Sequence, residues 1–201
     1  MDLISVKEAL EERGYRVSVF ETKEDAAAYL ADTYGGRTVG FGGSITLEQM
    51  GLYERLSEEG RVYWHWAIPA DSSRDEVLSA AQQTDVYVTS VNGLAETGEI
   101  VQIDGTCNRV SAMLYGHKSV VFVVGRNKLA KDLDRAIERA RNVAAPLNAR
   151  RLSRKTPCAV NADRCYNCKS PERICRSLTV LWEKPGGCDY EVVLVNEDLG
   201  Y

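Results

Sequence analysis

The stretch Ser119-Val-Val-Phe-Val-Val-Gly125 decides the fold, because four valines and Phe122 follow one another with no polar residue between them. A strand with only one buried face alternates apolar and polar residues; an unbroken β-branched run is buried on both faces, as in a parallel sheet covered by helices. Upstream, a helix from Arg109 to Tyr115 feeds this strand, and the extended runs DVYVTSV (85–91) and IVQI (100–103) flank the polar loop NGLAETGE (92–99). Ser73 and Glu76 form a capping box for a helix carrying Val77, Ala80 and Ala81 inward. RVYWHW (61–66) reads as an aromatic strand, and RTVGF (37–41) as a short strand running into Gly42-Gly43, with Ser44 or Thr46 capping the next helix. Thr22, with Asp25 three residues on, caps a helix that turns Ala26, Ala27, Leu30 and Tyr34 inward. At the start, Leu3, Val6 and Leu10 mark a helix ended by Gly14, before the extended YRVSVF (15–20).

Downstream, RNKLAKDLDRAIERARN (126–142) alternates charge while Leu129, Leu133, Ile137 and Ala140 recur at helical spacing, which predicts a packed helix with a solvated face. Pro146 interrupts or kinks this charged helix, whose remaining residues lead to the cysteine loop. LTVLWEK (178–184) and YEVVLV (190–195) flank PGGCD and read as an antiparallel hairpin. The fold class is therefore α/β, a mostly parallel sheet with helices on both faces and an antiparallel extension. The organisation expected is a core over residues 1–152, a cysteine-rich loop over 153–176, and a hairpin over 177–201 that completes the same domain.

Composition narrows the function classes. With 201 residues and 44% hydrophobic content the chain can bury one sizeable core, and no stretch is apolar for long enough to span a membrane. A net charge of -4 carries none of the basic excess of a phosphate-backbone face, so nucleic acid is not expected as a partner. The opening MDLISVKEAL has neither a basic n-region nor an apolar h-region, so a cytoplasmic, reducing setting is expected.

Four cysteines, Cys158, Cys165, Cys168 and Cys175, stand in the pattern C-x6-C-x2-C-x6-C. The central pair supplies two thiolates across one turn, and Arg164, Lys169, Arg173 and Arg176 offset their charge. A reducing compartment disfavours the competing disulfide reading, which puts a metal site well ahead of it. An all-thiolate set suits an iron–sulfur cluster, with 4Fe–4S favoured, or a structural zinc. Cys107 and Cys188 fall outside the pattern and are expected to be small buried residues.

In parallel α/β sheets ligands bind beyond the carboxyl ends of the strands, which directs attention to GFGGSIT (40–46) and AETG (95–98). Gly42 and Gly43 let the backbone approach a ligand, and Ser44 and Thr46 add hydrogen-bond donors; as a bare motif, a glycine pair before a helix is more often a tight turn. Glu96 is the candidate nucleophile or general base, with Thr97 and Gly98 beside it; as a single acidic residue it is more often a surface glutamate in a β-turn. Asn92, Asn108, Arg109 and Lys128 are further ligand-binding candidates, each equally placed as a turn or cap residue. His65 reads as a packed or edge-facing strand residue and His117 as a solvent turn.

The ordered motifs GFGGSITLEQMG, TSVNGLAETGEIVQIDGTCNRVSAMLYG, VVFVVGRNKLAKDLDRAIERAR and VVLVNEDLGY closely resemble the lactate-utilisation (LUD) domain family. The resemblance implies a three-layer α/β fold similar to that of the sugar-phosphate isomerase, deaminase and CoA-transferase superfamily. Gly42, Gly43, Ser44 and Thr46 match the family's glycine-serine-threonine loop, and Glu96, Thr97 and Gly98 its alanine-glutamate-threonine-glycine segment. Relatives associated with lactate oxidation act alongside iron–sulfur proteins, and KTPCAVNADRCYNCKSPERIC looks like the loop of a cysteine-bearing subgroup. Three functions follow from these readings. The first is a redox accessory that binds a small anionic metabolite and works with iron–sulfur redox subunits. The second is an isomerase or acyl-transfer enzyme using Glu96, with a structural zinc. The third is a non-catalytic metabolite-binding or regulatory module. A homo-oligomer is compatible with each.

Overall fold

The computed structural model describes residues 2–201. In chain order its elements are α1 (Leu3–Glu12), β1 (Arg16–Phe20), α2 (Lys23–Tyr34), β2 (Thr38–Phe41), α3 (Ile45–Gln49), α4 (Leu52–Ser57), β3 (Arg61–Trp64), α5 (Arg74–Ala81), β4 (Val86–Ser90) and β5 (Gly93–Ala95). They continue with β6 (Ile100–Asp104), α6 (Asn108–Leu114), β7 (Ser119–Gly125), β8 (Leu129–Ala130), α7 (Leu133–Arg139), α8 (Ala145–Arg151), α9 (Pro157–Asn161), β9 (Ser177–Leu181) and β10 (Asp189–Val195). Six strands in the order β1-β10-β7-β4-β2-β3 form a wholly parallel sheet.

The valine run explains the layering. All seven residues of β7 are buried, and its side chains alternate between two cores. Val120, Phe122 and Val124 join Val6 and Leu10 of α1, Met113 of α6 and Tyr190, Val192 and Leu194 of β10. Val121 and Val123 face the other way, onto Leu30 of α2, Leu47 of α3 and Val193 and Val195. Each fully buried valine contributes roughly 1.5–3 kcal/mol of apolar burial, so the strand anchors both layers at once. The expected caps are present: Thr22 accepts from the Asp25 amide, and Ser73 and Glu76 make the reciprocal capping box of α5.

A second, four-stranded sheet, β8-β5-β6-β9, packs beside the first. It revises several expectations. The segment at 92–99 is not wholly loop, because Gly93–Ala95 pairs antiparallel with β6 and parallel with β8. Gly93 is needed there, since a Cβ would stand 2.6 Å from the Ala136 carbonyl of the overlying α7. The C-terminal hairpin does not form: β9 pairs with β6 in the second sheet, whereas β10 lies between β1 and β7 in the first. The charged segment is not one helix either. Residues 126–128 make a 3-10 turn, Leu129 enters β8, and α7 starts only after Asp132, whose side chain accepts from the Arg135 amide. A π-turn at 140–144 precedes Pro146 in the first turn of α8, which accommodates the missing proline N–H.

His117 is buried rather than solvent-facing: its ring stacks on Tyr87 at 5.0 Å and Nδ1 lies 2.7 Å from the Thr84 carbonyl. Cys107 is exposed and Cys188 half-buried, so neither is the fully buried residue expected, and all six cysteines are free. Among the described residues no helix is long and apolar enough to cross a membrane.

Candidate functional site

Strands β2, β4 and β7 end at the same edge of the parallel sheet, and the chain leaving each contributes to one cavity of about 380 Å³. From β2 come Gly43 and Ser44, from β4 Ser90 and Asn92, and from the turn after β7 Lys128. Gly42 and Gly43 serve chiefly as clearance. A Cβ on Gly42 would meet Thr89 Oγ1 at 2.6 Å and Arg109 Cδ at 3.1 Å; one on Gly43 would meet the His65 ring at 3.1 Å and Trp66 Nε1 at 3.2 Å. The glycine pair thus admits Arg109 from one side and His65 from the other. Ser44 caps α3 by accepting from the Leu47 amide at 3.4 Å. Thr46 lies behind the wall, fully buried.

Arg109 is embedded in acceptors. Its Nη2 donates to the Ile103 carbonyl at 2.6 Å and Asn92 Oδ1 at 3.1 Å, and its Nη1 to Gln102 Oε1 and, at 3.4 Å, to the Ser90 carbonyl. Asp104 is the one acidic side chain in the cavity wall among the described residues. It is already engaged: Oδ1 accepts from the Thr106 and Cys107 amides at 3.1 and 3.0 Å, and Oδ2 from the Val110 amide at 3.2 Å, with Arg109 Nε at 3.9 Å. Asn108 is tied to Thr106 through its Oδ1 at 2.6 Å.

Arg74, Arg151 and Arg154, all exposed, line the outer part of the cavity. Arg151 lies over the Trp66 ring, 4.6 Å from its centroid. His65 follows the end of β3 in a turn rather than standing within a strand, and its Nδ1 has no hydrogen-bond partner. Burial, with Arg74 and Arg151 nearby, pushes its pKa down to about 4 against a smaller opposing pull from Asp104, so the imidazole is neutral near pH 7.

Lys128 is buried and pairs with no carboxylate among the described residues. Its Nζ donates to Thr46 Oγ1 and Ser90 Oγ, both at 2.8 Å. Burial, reinforced by the Arg139 and Arg109 charges, holds its pKa well below the usual lysine range. Gly200 lies against it, where a Cβ would come within 3.2 Å of Nζ, and Tyr201 joins the wall.

The structure therefore brings Gly43, Ser44, Asn92, Asn108, Arg109 and Lys128 to one cavity, with Gly42 and Thr46 packed behind it. It does not bring AETG there. Glu96, Thr97 and Gly98 form the turn between β5 and β6, with the Glu96 amide on the Ala130 carbonyl at 2.7 Å. Arg13, which caps the C-terminal end of α1, clamps this turn, donating to the Thr97 carbonyl at 2.5 Å and to Glu99 Oε1 at 2.7 Å. Gly98 has φ +96°, and a Cβ there would strike Arg13 Cδ at 2.6 Å, which accounts for the glycine. Arg74, Asp104, Arg151, Arg154 and Tyr201 line the cavity with no signal in the sequence, and His65, expected to be a packed or edge-facing strand residue, lines it too. No local pattern marks them, since they lie on separate segments that meet only in the fold.

The cysteine loop is organised differently. The donor chemistry suits a thiophilic metal: Cys165 Sγ accepts from the Asn167 amide at 3.3 Å, and Cys175 Sγ from Arg173 Nη2 at 3.4 Å. The thiols do not converge, however, and no group of three or more His, Cys, Asp or Glu side chains among the described residues is arranged to hold an ion.

These features can be set beside known proteins. A crystal structure of a DUF162 family protein from Deinococcus radiodurans superposes with a TM-score of 0.52 at 12% identity, covering 96% of this chain and 95% of that one, and so shares the fold. A crystal structure of eIF2B beta from Chaetomium thermophilum gives a TM-score of 0.32 at 11% identity over 64% of this chain and 43% of that one. No curated protein matches the chain. The LUD domain family matches residues 4–195, nearly the whole length; the chain belongs to the LUD domain family.

Proposed function

We propose that the cavity binds a small carboxylate metabolite, in keeping with a family related to lactate utilisation, and that the chain acts as an accessory to redox chemistry on such an acid. One observation carries the binding reading: Arg74, Arg109, Arg151 and Arg154 line a cavity whose one acidic side chain among the described residues, Asp104, is already held by three backbone amides. Guanidinium groups recognise carboxylates through paired, charge-assisted hydrogen bonds, and the exposed rim arginines have donors to offer. Calorimetric titration with lactate, glyoxylate and the neutral analogue lactamide tests it. Both acids should bind and lactamide should not; equal binding of the amide would remove the anion site.

The redox part rests on the cysteine loop. Four free thiols, with amide and guanidinium donors already directed at two of the sulfurs, support a 4Fe–4S cluster held by Cys158, Cys165, Cys168 and Cys175, with structural zinc as the alternative. Metal and acid-labile sulfide analysis after anaerobic purification separates the two. Iron with sulfide supports the redox accessory and its iron–sulfur partners, and zinc at one per chain supports a structural site. A protein purified with neither metal, and unable to take up either, would refute the metal-loop assignment.

A further inference from the structure

Lys128 has a hydrogen-bonding arrangement that an ordinary structural lysine lacks. Ser90 Oγ donates its own proton to the Val123 carbonyl at 2.6 Å, and Thr46 Oγ1 donates to the Leu199 carbonyl at 3.2 Å. Each hydroxyl has only one proton, so both face Lys128 as acceptors. The two bonds to Nζ, at 2.8 Å each, therefore consume two N–H groups of the lysine. An ammonium would have a third N–H with no protein acceptor among the described residues, beside Arg109 and Arg139 and with no carboxylate among them paired to it. A neutral amine satisfies both bonds and keeps its lone pair free. Burial and the neighbouring cations favour that neutral form.

We infer that Lys128 is a nucleophilic amine that forms an imine with the carbonyl carbon of a 2-oxo acid. The inference deepens the carboxylate-binding reading and rests on it: guanidiniums hold the carboxylate, and Lys128, in the same wall, meets the adjacent carbonyl. In the step, the Nζ lone pair attacks the carbonyl carbon and the π pair moves to oxygen, which takes up a proton that nitrogen loses. Departure of that oxygen as water, with the second N–H proton, leaves the C=N bond. His65 lines the same cavity with an unpartnered ring nitrogen and is the neutral group available to relay a proton. A 2-hydroxy acid lacks the electrophilic carbon and binds without reacting, so the site discriminates the two oxidation levels of one carbon skeleton by chemistry rather than by shape.

The test uses the full chain with glyoxylate and sodium cyanoborohydride, which reduces an imine to a secondary amine, followed by peptide mapping. The expected result is a carboxymethyl adduct on Lys128 in preference to Lys118, whose side chain is 81% exposed, and its loss when excess lactate competes. Lys128→Met should lose that adduct. It should still fold, because Ser90 and Thr46 keep their carbonyl partners, and its thermal midpoint should rise with the removal of a buried amine. If glyoxylate binds in calorimetry but labels Lys128 no faster than Lys118, the imine is refuted while the anion site stands. If neither acid binds, the carboxylate reading itself falls.

Discussion

The cavity and the cysteine loop carry the chain's two chemical signals, and they are built in opposite ways. The two deep cations of the cavity are fixed by hydrogen bonds: Arg109 by Gln102 and the Ile103 carbonyl of β6, by Asn92 and by the Ser90 carbonyl at the end of β4, and Lys128 by two hydroxyls that are themselves held. The loop over 153–176 has one five-residue helix, α9, and its sulfurs do not converge. The contrast teaches that the cavity's polar side chains are fixed before any ligand arrives, whereas the proposed metal would have to draw the loop's thiols together.

The largest expected effect tests preorganisation. Arg109→Ala leaves Gln102, Asn92 and the Ile103 carbonyl facing a void and Asp104 without its cation, which costs about 3–5 kcal/mol by the usual scale for breaking a buried charged network. Urea denaturation measures it; a loss below about 1 kcal/mol would show that the network is not structural.

The next effect is pH-dependent stability. His65 has a folded pKa of about 4, below its ordinary 6.5. Between those values the unfolded chain binds a proton that the folded chain does not, so stability is full above pH 6.5 and declines as pH falls toward 4. His117 is also lowered by burial, partly opposed by its bond to the Thr84 carbonyl, and acts in the same direction. His65→Gln should therefore flatten part of that slope, and an unchanged pH profile would assign it elsewhere.

At the rim, Arg151→Ala and Arg154→Ala should each weaken lactate binding by about 1 kcal/mol, roughly fivefold, and reduce its salt dependence without altering the fold. The smallest effect on stability belongs to the loop: Cys165→Ser with Cys168→Ser should change the unfolding free energy of the metal-free protein, measured in urea, by no more than about 0.5 kcal/mol. The same pair should abolish metal uptake. A large loss of stability without metal would erase the distinction between the two regions.

Local patterns made much of the fold legible. The unbroken valines of β7 place a doubly covered parallel strand, and Thr22, Ser73 and Glu76 mark helix starts through side-chain chemistry confined to one turn. The C-terminal strands part company although PGGCD has hairpin composition. The deciding difference is burial: Tyr190–Val195 is continuously buried, like β7, whereas β9 is half-exposed and sits at a sheet edge. Of the site, Lys128, Arg109 and the glycine turn were legible because each follows or abuts a strand end. His65, Arg74 and Arg151 were not, because the sheet order that joins β3, α5 and α8 around one opening is a long-range property.

Where the acid binds is the most direct test of the cavity assignment. A crystal structure of the glyoxylate complex should show its carboxylate within hydrogen-bond distance of a cavity guanidinium and its carbonyl carbon at Lys128 Nζ. Ligand bound instead beside Glu96, in the turn clamped by Arg13, would contradict it.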